Sequence, residues 1–253
     1  MKKSKDKFAP DTIYSEQLTD VEEFSFNKQV VDVFPDMINR SVPGYQTIID
    51  GIGELAALFC PDNAQIYDLG CSIGEASLSI AKRLQQKKPN IEAIDNSQEM
   101  IGRCEQHVKT FQYGQYINIR KDDITLSTLS SCHMVVINFT LQFLAKDTRQ
   151  GLIEKIYQSL APGGILILSE KLAYEEPTID NTLVALHHKF KRDNGYSDLE
   201  ISQKRTALEK VMQLDTADDH IERLKAAGFS SVCRWYQHFN FSSMVAIKAK
   251  NLG

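Results

Sequence analysis

The sequence predicts an α/β fold: a doubly wound, mostly parallel sheet whose final strand runs antiparallel. Three observations predict it. Short apolar runs alternate with stretches of helical period from Ile66 to Ile167. The first of these runs breaks into a turn, Gly70-Cys71-Ser72-Ile73-Gly74, that opens directly into a helix. The chain finishes on two extended runs, Val232 to Phe241 and Ser243 to Ala249, spaced as an antiparallel hairpin.

A length of 253 residues suits one sizeable domain with additions, and 42% hydrophobic with 25% charged residues is ordinary for a folded chain. The net charge of −4 carries no basic signature, so no direct nucleic-acid binding is expected. The five cysteines form no C-x-x-C pair and read as reduced thiols of a cytoplasmic protein. The lysine-rich start lacks an apolar signal core, and no apolar run approaches the roughly 18 residues of a membrane span.

Taken in order, the chain reads as one domain over 1–253. Residues 1–25 are polar and expected to be flexible, and 26–60 form cap helices. Pro35 is placed to start one cap helix, and Pro43-Gly44 punctuates before the next. Ile66 to Leu69 is the first strand and Glu75 to Ala81 opens its helix; Ile91 to Ile94 is the second strand, followed by a helix from about Gln98 to Phe111. Ile117 to Arg120 is the third strand and His133 to Phe139 the fourth, apolar throughout as a strand covered on both faces should be. A helix over Asp147 to Leu160 is stopped by Ala161-Pro162-Gly163-Gly164, and Ile165 to Leu168 is the fifth strand. Residues 177–227 are helical with a break near Asn194-Gly195, longer than a crossover needs, and read as a helical insertion.

The strand–turn–helix at Gly70 puts backbone N–H groups at the mouth of the sheet, where glycine lets a ligand approach the main chain. G-x-S-x-G also matches a hydrolase nucleophile elbow with Ser72 as nucleophile, for which His220 or His238 would have to supply the base. Two acids weigh against that reading. Asp68, two residues before Gly70, suits a cationic or amine-bearing ligand rather than a pyrophosphate. Asp95-Asn96, ending the second strand about 20 residues further on, is placed to accept ribose hydroxyls. An adenosine with a positively charged amino-acid tail satisfies both, which describes S-adenosylmethionine.

Other candidates have two readings each. Asp123-Ile124 can hold and flank an adenine, or serve a turn. Asn138 ends the fourth strand, where the sheet faces the ligand. Tyr45 is a helix N-terminal core residue or a wall over the ligand. Arg205 pairs with Glu209 at i+4 on a solvated helix face unless something recruits it. His187-His188 point about 100° apart on a helix and meet no second ligand pair, so no metal is expected.

The segments VFPDMINRSVPGY, IYDLGCS, INFTLQFL and FKRDNGYSDLEISQKR, in this order, closely resemble the carboxy-S-adenosylmethionine synthases of bacterial tRNA wobble-uridine modification, from about Phe26 to Ala249. The resemblance implies a class I methyltransferase (Rossmann-like) fold and conversion of S-adenosylmethionine and prephenate to carboxy-S-adenosylmethionine and phenylpyruvate, with no metal. It implies a homodimer whose product is used by a separate tRNA carboxymethyltransferase. It carries ligand contacts onto Tyr45, Gly70, Cys71, Ser72, Asp95, Asn96, Asp123, Ile124, Asn138 and Arg205, with Arg205 as the catalytic cation that grips the new carboxylate. Arg40 and Lys171 are candidates to hold prephenate. No side chain in the motifs is an obvious general base, which agrees with proton removal assisted by the substrate. Two competing readings are a methyltransferase acting on a small molecule, although Asn138-Phe139-Thr140 lacks the prolines common in amino-methylating enzymes, and a non-catalytic S-adenosylmethionine-binding module.

Overall fold

The structure, a computed structural model, describes residues 9–250. Seven strands form one sheet: β1 (Gln65–Leu69), β2 (Asn90–Asp95), β3 (Ile117–Lys121), β4 (Cys132–Asn138), β5 (Leu160–Lys171), β6 (Ser231–His238) and β7 (Phe241–Ile247). Their order is β3-β2-β1-β4-β5-β7-β6. The first five run parallel, and β7 inserts antiparallel between β5 and β6. The chain winds outward one way from β1 to β3 and the other way from β4 to β6. The crevice at the carboxyl ends of β1 and β4 is therefore the switch point where such sheets bind ligands.

Among the described residues, eight α-helices accompany the sheet: α1 (Lys28–Ser41), α2 (Tyr45–Phe59), α3 (Glu75–Leu84), α4 (Gln98–Val108), α5 (Lys146–Ser159), α6 (Pro177–Asp193), α7 (Asp198–Glu209) and α8 (Ala217–Ala227). The apolar run of β4 splits by pleat. Met134 and Val136 face Ile48, Ile52 and Ile80 of α2 and α3, while Val135 and Ile137 face Leu152, Ile156 and Leu224 of α5 and α8. Covering both faces excludes water from Met134 to Ile137, which is why that run shows no polar alternation.

The structure corrects four expectations. From Asp11 onward the N-terminal segment is anchored rather than flexible; residues 1–8 lie outside the described residues. Tyr14 and Phe24 are buried with Phe34, Met37 and Ala207. Gln203 Nε2 donates to the carbonyls of Tyr14 and Glu16 at 3.0 and 2.8 Å, and the Leu18 N–H donates to Gln203 Oε1 at 2.7 Å. A polar strand-less segment held by one glutamine and two aromatics leaves no periodic trace. Pro35 lies inside α1, which starts instead on the Asn27 cap, whose side chain accepts from Val30 N at 3.1 Å. Strand β5 begins at Leu160, so Ala161 to Gly164 belong to it, with Gly163 at φ +80° and a register shift between Cys132 and Met134. That irregularity lets the strand carry residues with turn chemistry. Finally, α8 is part of the sheet's helical layer through Leu224, so within 177–227 it is α6 and α7 that stand outside the alternation.

Candidate active site

A cavity of about 530 Å³ opens at the carboxyl ends of β1, β2, β4 and β5, within the size range of small-molecule sites. α1, α6 and α7 wall its other side. Tyr45, Gly70, Cys71, Ser72, Asp95, Asn96, Asp123, Ile124, Asn138 and Arg205 all line it.

The half built on the sheet is held from within. Gly70 sits at φ +82°, and a Cβ there would lie 2.2 Å from Thr140 Oγ1, so neither the conformation nor the space admits a side chain. The N–H groups of Gly70 and Cys71 both donate to the Ile94 carbonyl, at 2.8 and 2.9 Å, tying the loop to β2. Ser72, at φ +52°, turns its N–H onto Asp95 Oδ2 at 2.9 Å, and Ser97 N–H holds Oδ1 at 2.9 Å. Loop and acid are thus one device. Burial raises the Asp95 pKa, with the backbone donors of Ser97, Ser72 and Asn96 opposing it. Asp123 Oδ1 accepts from Thr125 N and Oγ1, at 2.8 and 2.7 Å, so it serves its turn while lining the cavity beside buried Ile124. Asn138 Oδ1 is buried without a hydrogen-bond partner. An orphaned acceptor on a cavity wall is what a ligand donor would satisfy.

Asp68 is more clamp than expected. Its Oδ2 accepts from Ser77 Oγ at 2.6 Å and Ser77 N at 3.1 Å, fastening α3 to β1, and burial pushes its pKa up to about 6 against those bonds. Tyr45 is buried at the start of α2 beside Glu75; burial first, then the Glu75 charge, raises its pKa. Glu170 Oε1 and Oε2 accept from Leu141 N and Gln142 N at 2.9 and 3.0 Å, which fixes the loop after β4, and burial pushes its pKa up to about 8.

The other half is rich in basic side chains, Lys171 from β5, His187, His188 and Lys191 from α6, and Lys204 and Arg205 from α7, with the acids Asp180 and Glu209 among them. Arg205 is half-exposed, its Nε pairing with Glu209 Oε1 at 2.5 Å. The helix-face pairing and the cavity position therefore hold together. Lys204 Nζ sits 3.2 Å from Asp11 Oδ2 and 3.0 Å from Ser41 Oγ. His187 Nε2 donates to the Ser41 carbonyl at 2.8 Å, and burial pushes its pKa down to about 2, so the ring is neutral. Among the described residues, no group of three His, Cys, Asp or Glu side chains gathers to hold a metal.

Two candidates fall away. Arg40 is outside the cavity: it donates to the Asn194 carbonyl at 2.8 Å, pairs with Asp36 at 3.0 Å and covers the Tyr196 ring. Ser72 Oγ lies 3.4 Å from Met100 Sδ, and neither His220 nor His238 lines the cavity, so there is no nucleophile elbow. Glu75, Lys191, Lys204 and the aromatics Phe24, Phe26 and Phe34 line the site without having been singled out. In the sequence they are ordinary helix or segment residues with no fixed spacing to the glycine loop.

Comparison with known proteins places this geometry. Residues 66–164 match a family described as a methyltransferase domain. A protein of Colwellia psychrerythraea named carboxy-S-adenosyl-L-methionine synthase is 52% identical over 94% of this chain and 98% of its own length. One of the same name from Vibrio campbellii is 50% identical, over 94% of this chain and 98% of its length. Among solved structures, human N-acetylserotonin methyltransferase in complex with SAM superposes at TM-score 0.58 with 18% identity, covering 88% of this chain and 55% of that one. An O-methyltransferase family protein from Burkholderia thailandensis gives 0.64 with 13% identity, covering 89% and 61%. These two speak to the fold alone. No helix among the described residues is long and apolar enough to cross a membrane. With half its residues shared along nearly its whole length, the chain belongs to the carboxy-S-adenosyl-L-methionine synthase family of enzymes, on the class I methyltransferase fold.

Proposed function

We propose that the enzyme converts S-adenosylmethionine and prephenate to carboxy-S-adenosylmethionine, phenylpyruvate and water. The observation that carries this reading is the cavity's division: a ribose-type acid and glycine loop on one side, and a concentration of cations on the other. Methyl transfer to a neutral acceptor has no use for that concentration. An anionic co-substrate and a newly carboxylated product both do.

The chemistry balances with few demands on side chains. Prephenate loses its ring carboxylate as carbon dioxide and its hydroxyl as hydroxide, becoming aromatic. The hydroxide removes a proton from the sulfonium methyl, forming water, and the resulting carbon nucleophile takes up the carbon dioxide. The protein's part is to hold the two molecules together and keep bulk water out, which the aromatic wall of Phe24, Phe26 and Phe34 favours. Asp95 holds the ribose hydroxyls, Asp123 and Ile124 the adenine, Asn138 offers its free acceptor, and Tyr45 covers the site. Arg205 swings from Glu209 to the product carboxylate, a match of planar fork to planar acid.

The same reading makes the enzyme a cytoplasmic homodimer whose product is passed to a separate tRNA carboxymethyltransferase. A net charge of −4 supports leaving RNA to that partner. Mass spectrometry of purified protein incubated with S-adenosylmethionine, with and without prephenate, tests it. The carboxylated product should form only with prephenate; a methylated acceptor with S-adenosylhomocysteine would refute it.

A further inference from the structure

Lys191 is 5% exposed and lies in the wall of the cavity. Burial and the neighbouring charges of Lys204, Lys171 and Arg205 push its pKa down to about 7, with Asp11 opposing them, and its Nζ makes no hydrogen bond or ion pair among the described residues. Lys171 is only half-buried in the same wall, its Nζ 6.0 Å from the centre of the Phe241 ring; burial and then Arg205 lower its pKa, with Asp180 and Glu209 opposing and no hydrogen bond to its ammonium among the described residues. The acids in reach are already engaged. Asp11 accepts from Lys204 and from the Tyr196 hydroxyl, and Glu209 is paired with Arg205. Asp180 accepts from Tyr174 N at 3.3 Å. The α1 end contributes only Ser41, which is taken by Lys204 and His187. His187 and His188 bring no negative charge. Two ammonium groups therefore face the cavity among the described residues with no counterion of their own.

A buried cation without a partner is expensive, and an apolar residue of similar length would fill the same space at lower cost. The arrangement makes sense when a ligand completes it. We infer that Lys191 and Lys171 are the carboxylate anchor of the anionic co-substrate, gripping the carboxylate that survives the reaction. This rests on the carboxylation proposed above. Prephenate carries two carboxylates with opposite needs. The ring carboxylate must shed its charge as carbon dioxide, and an ammonium held on it would stabilise the ground state more than the transition state. The pyruvyl carboxylate is unchanged from substrate to phenylpyruvate, so pairing it costs the chemical step nothing. Anchoring that end leaves the ring carboxylate free to leave beside the sulfonium methyl.

The test is steady-state kinetics with prephenate as the varied substrate, for Lys191→Met, Lys171→Met and Lys191→Arg, beside calorimetric titration with S-adenosylmethionine. Removing one charged contact should raise KM for prephenate by roughly ten- to a hundredfold, the scale of a charge-assisted hydrogen bond. The dissociation constant for S-adenosylmethionine should move less than about threefold, the ratio that marks a contact made by one ligand only. Lys191→Arg keeps the charge and should recover part of the loss. Each Met variant removes an unpaired cation, so its thermal midpoint should not fall. Unchanged KM for prephenate in folded Lys191→Met and Lys171→Met, or equal weakening of both ligands, would overturn the inference. Calorimetry with phenylpyruvate, which keeps the pyruvyl carboxylate, separates it from the reaction itself. Weaker binding to both Met variants upholds the anchor even where no carboxylated product forms. Unchanged binding overturns it even where the wild-type enzyme carboxylates.

Discussion

Asp95 and Lys191 face one cavity and are held in opposite ways. Both oxygens of Asp95 accept backbone N–H groups, from Ser72 and Ser97, at 2.9 Å each. The carboxylate is aimed before any ligand arrives. Lys191 is more deeply buried than a lysine ordinarily is, yet among the described residues no carboxylate pairs with it. In the proposed reaction the sheet side takes the adenosine common to substrate and product, and its own backbone satisfies the acid that holds it. The α6–α7 side is left electrostatically incomplete, so its stability and its ligand affinity are coupled. Pre-organisation serves the constant moiety, and deliberate incompleteness selects a charged one.

The sharpest way to break the comparison is to strip the pre-organised side. In the proposed complex Asp95→Ala removes two charge-assisted hydrogen bonds to the ribose, each about 1.5–3 kcal/mol. Calorimetry should show affinity for S-adenosylmethionine falling by at least about a hundredfold, with binding of phenylpyruvate unaffected. An unchanged dissociation constant in a folded variant would remove Asp95 from the site.

Arg205 tests the boundary between the halves. It is half-exposed and already paired with Glu209, so its contribution is smaller than that of a buried pair. Arg205→Leu should weaken carboxy-S-adenosylmethionine by about ten- to a hundredfold and S-adenosylmethionine by less than about threefold. Arg205→Lys should recover only part, because lysine cannot present two donors in one plane. Equal weakening of both ligands would make Arg205 a structural residue. No change in either would leave it on the helix face with Glu209.

The smallest effect is in pH. A lysine whose folded pKa lies below its unfolded value is penalised while charged, so stability rises with pH between the two values, from about 7 to about 10.5 for Lys191. A bound carboxylate needs the charged form, so prephenate affinity falls over the same interval. The wild-type minus Lys191→Met stability difference should rise between pH 7 and 9 while wild-type KM for prephenate climbs, by at most about tenfold per pH unit for one proton. A flat KM with pH would detach Lys191 from substrate binding. Taking the difference against the variant cancels Glu170, whose pKa, raised to about 8, makes stability fall as pH rises to that value.

The comparison also explains what could be read from the chain. Gly70, Asp95, Asp123 and Asn138 sit at the ends of consecutive strands, and in a parallel sheet those ends converge, so spacing along the sequence carries their meeting in space. Lys191 and Lys204 have no such rule. They belong to helices packed from outside the alternation, and their burial depends on the N-terminal segment that Gln203 and Asp11 tie down. Polar and aperiodic, that segment looked flexible because hydrophobic patterning detects elements and not single tethers. Arg205 was legible as a helix-face residue, and only the resemblance to a family pointed it at the ligand. Likewise Asp68 read as a ligand for an amine, whereas most of its visible bonding goes to Ser77.

The proposed reaction moves a carboxyl group from the anionic partner onto the methyl carbon of the cationic one. It is tested most directly with prephenate carrying carbon-13 in its ring carboxylate. After incubation with unlabelled S-adenosylmethionine, mass spectrometry should find the label in the carboxymethyl group of the adenosyl product, the original methyl carbon retained with one hydrogen fewer, and phenylpyruvate unlabelled. An adenosyl product without the label, or S-adenosylhomocysteine as the sole adenosyl product, would contradict it.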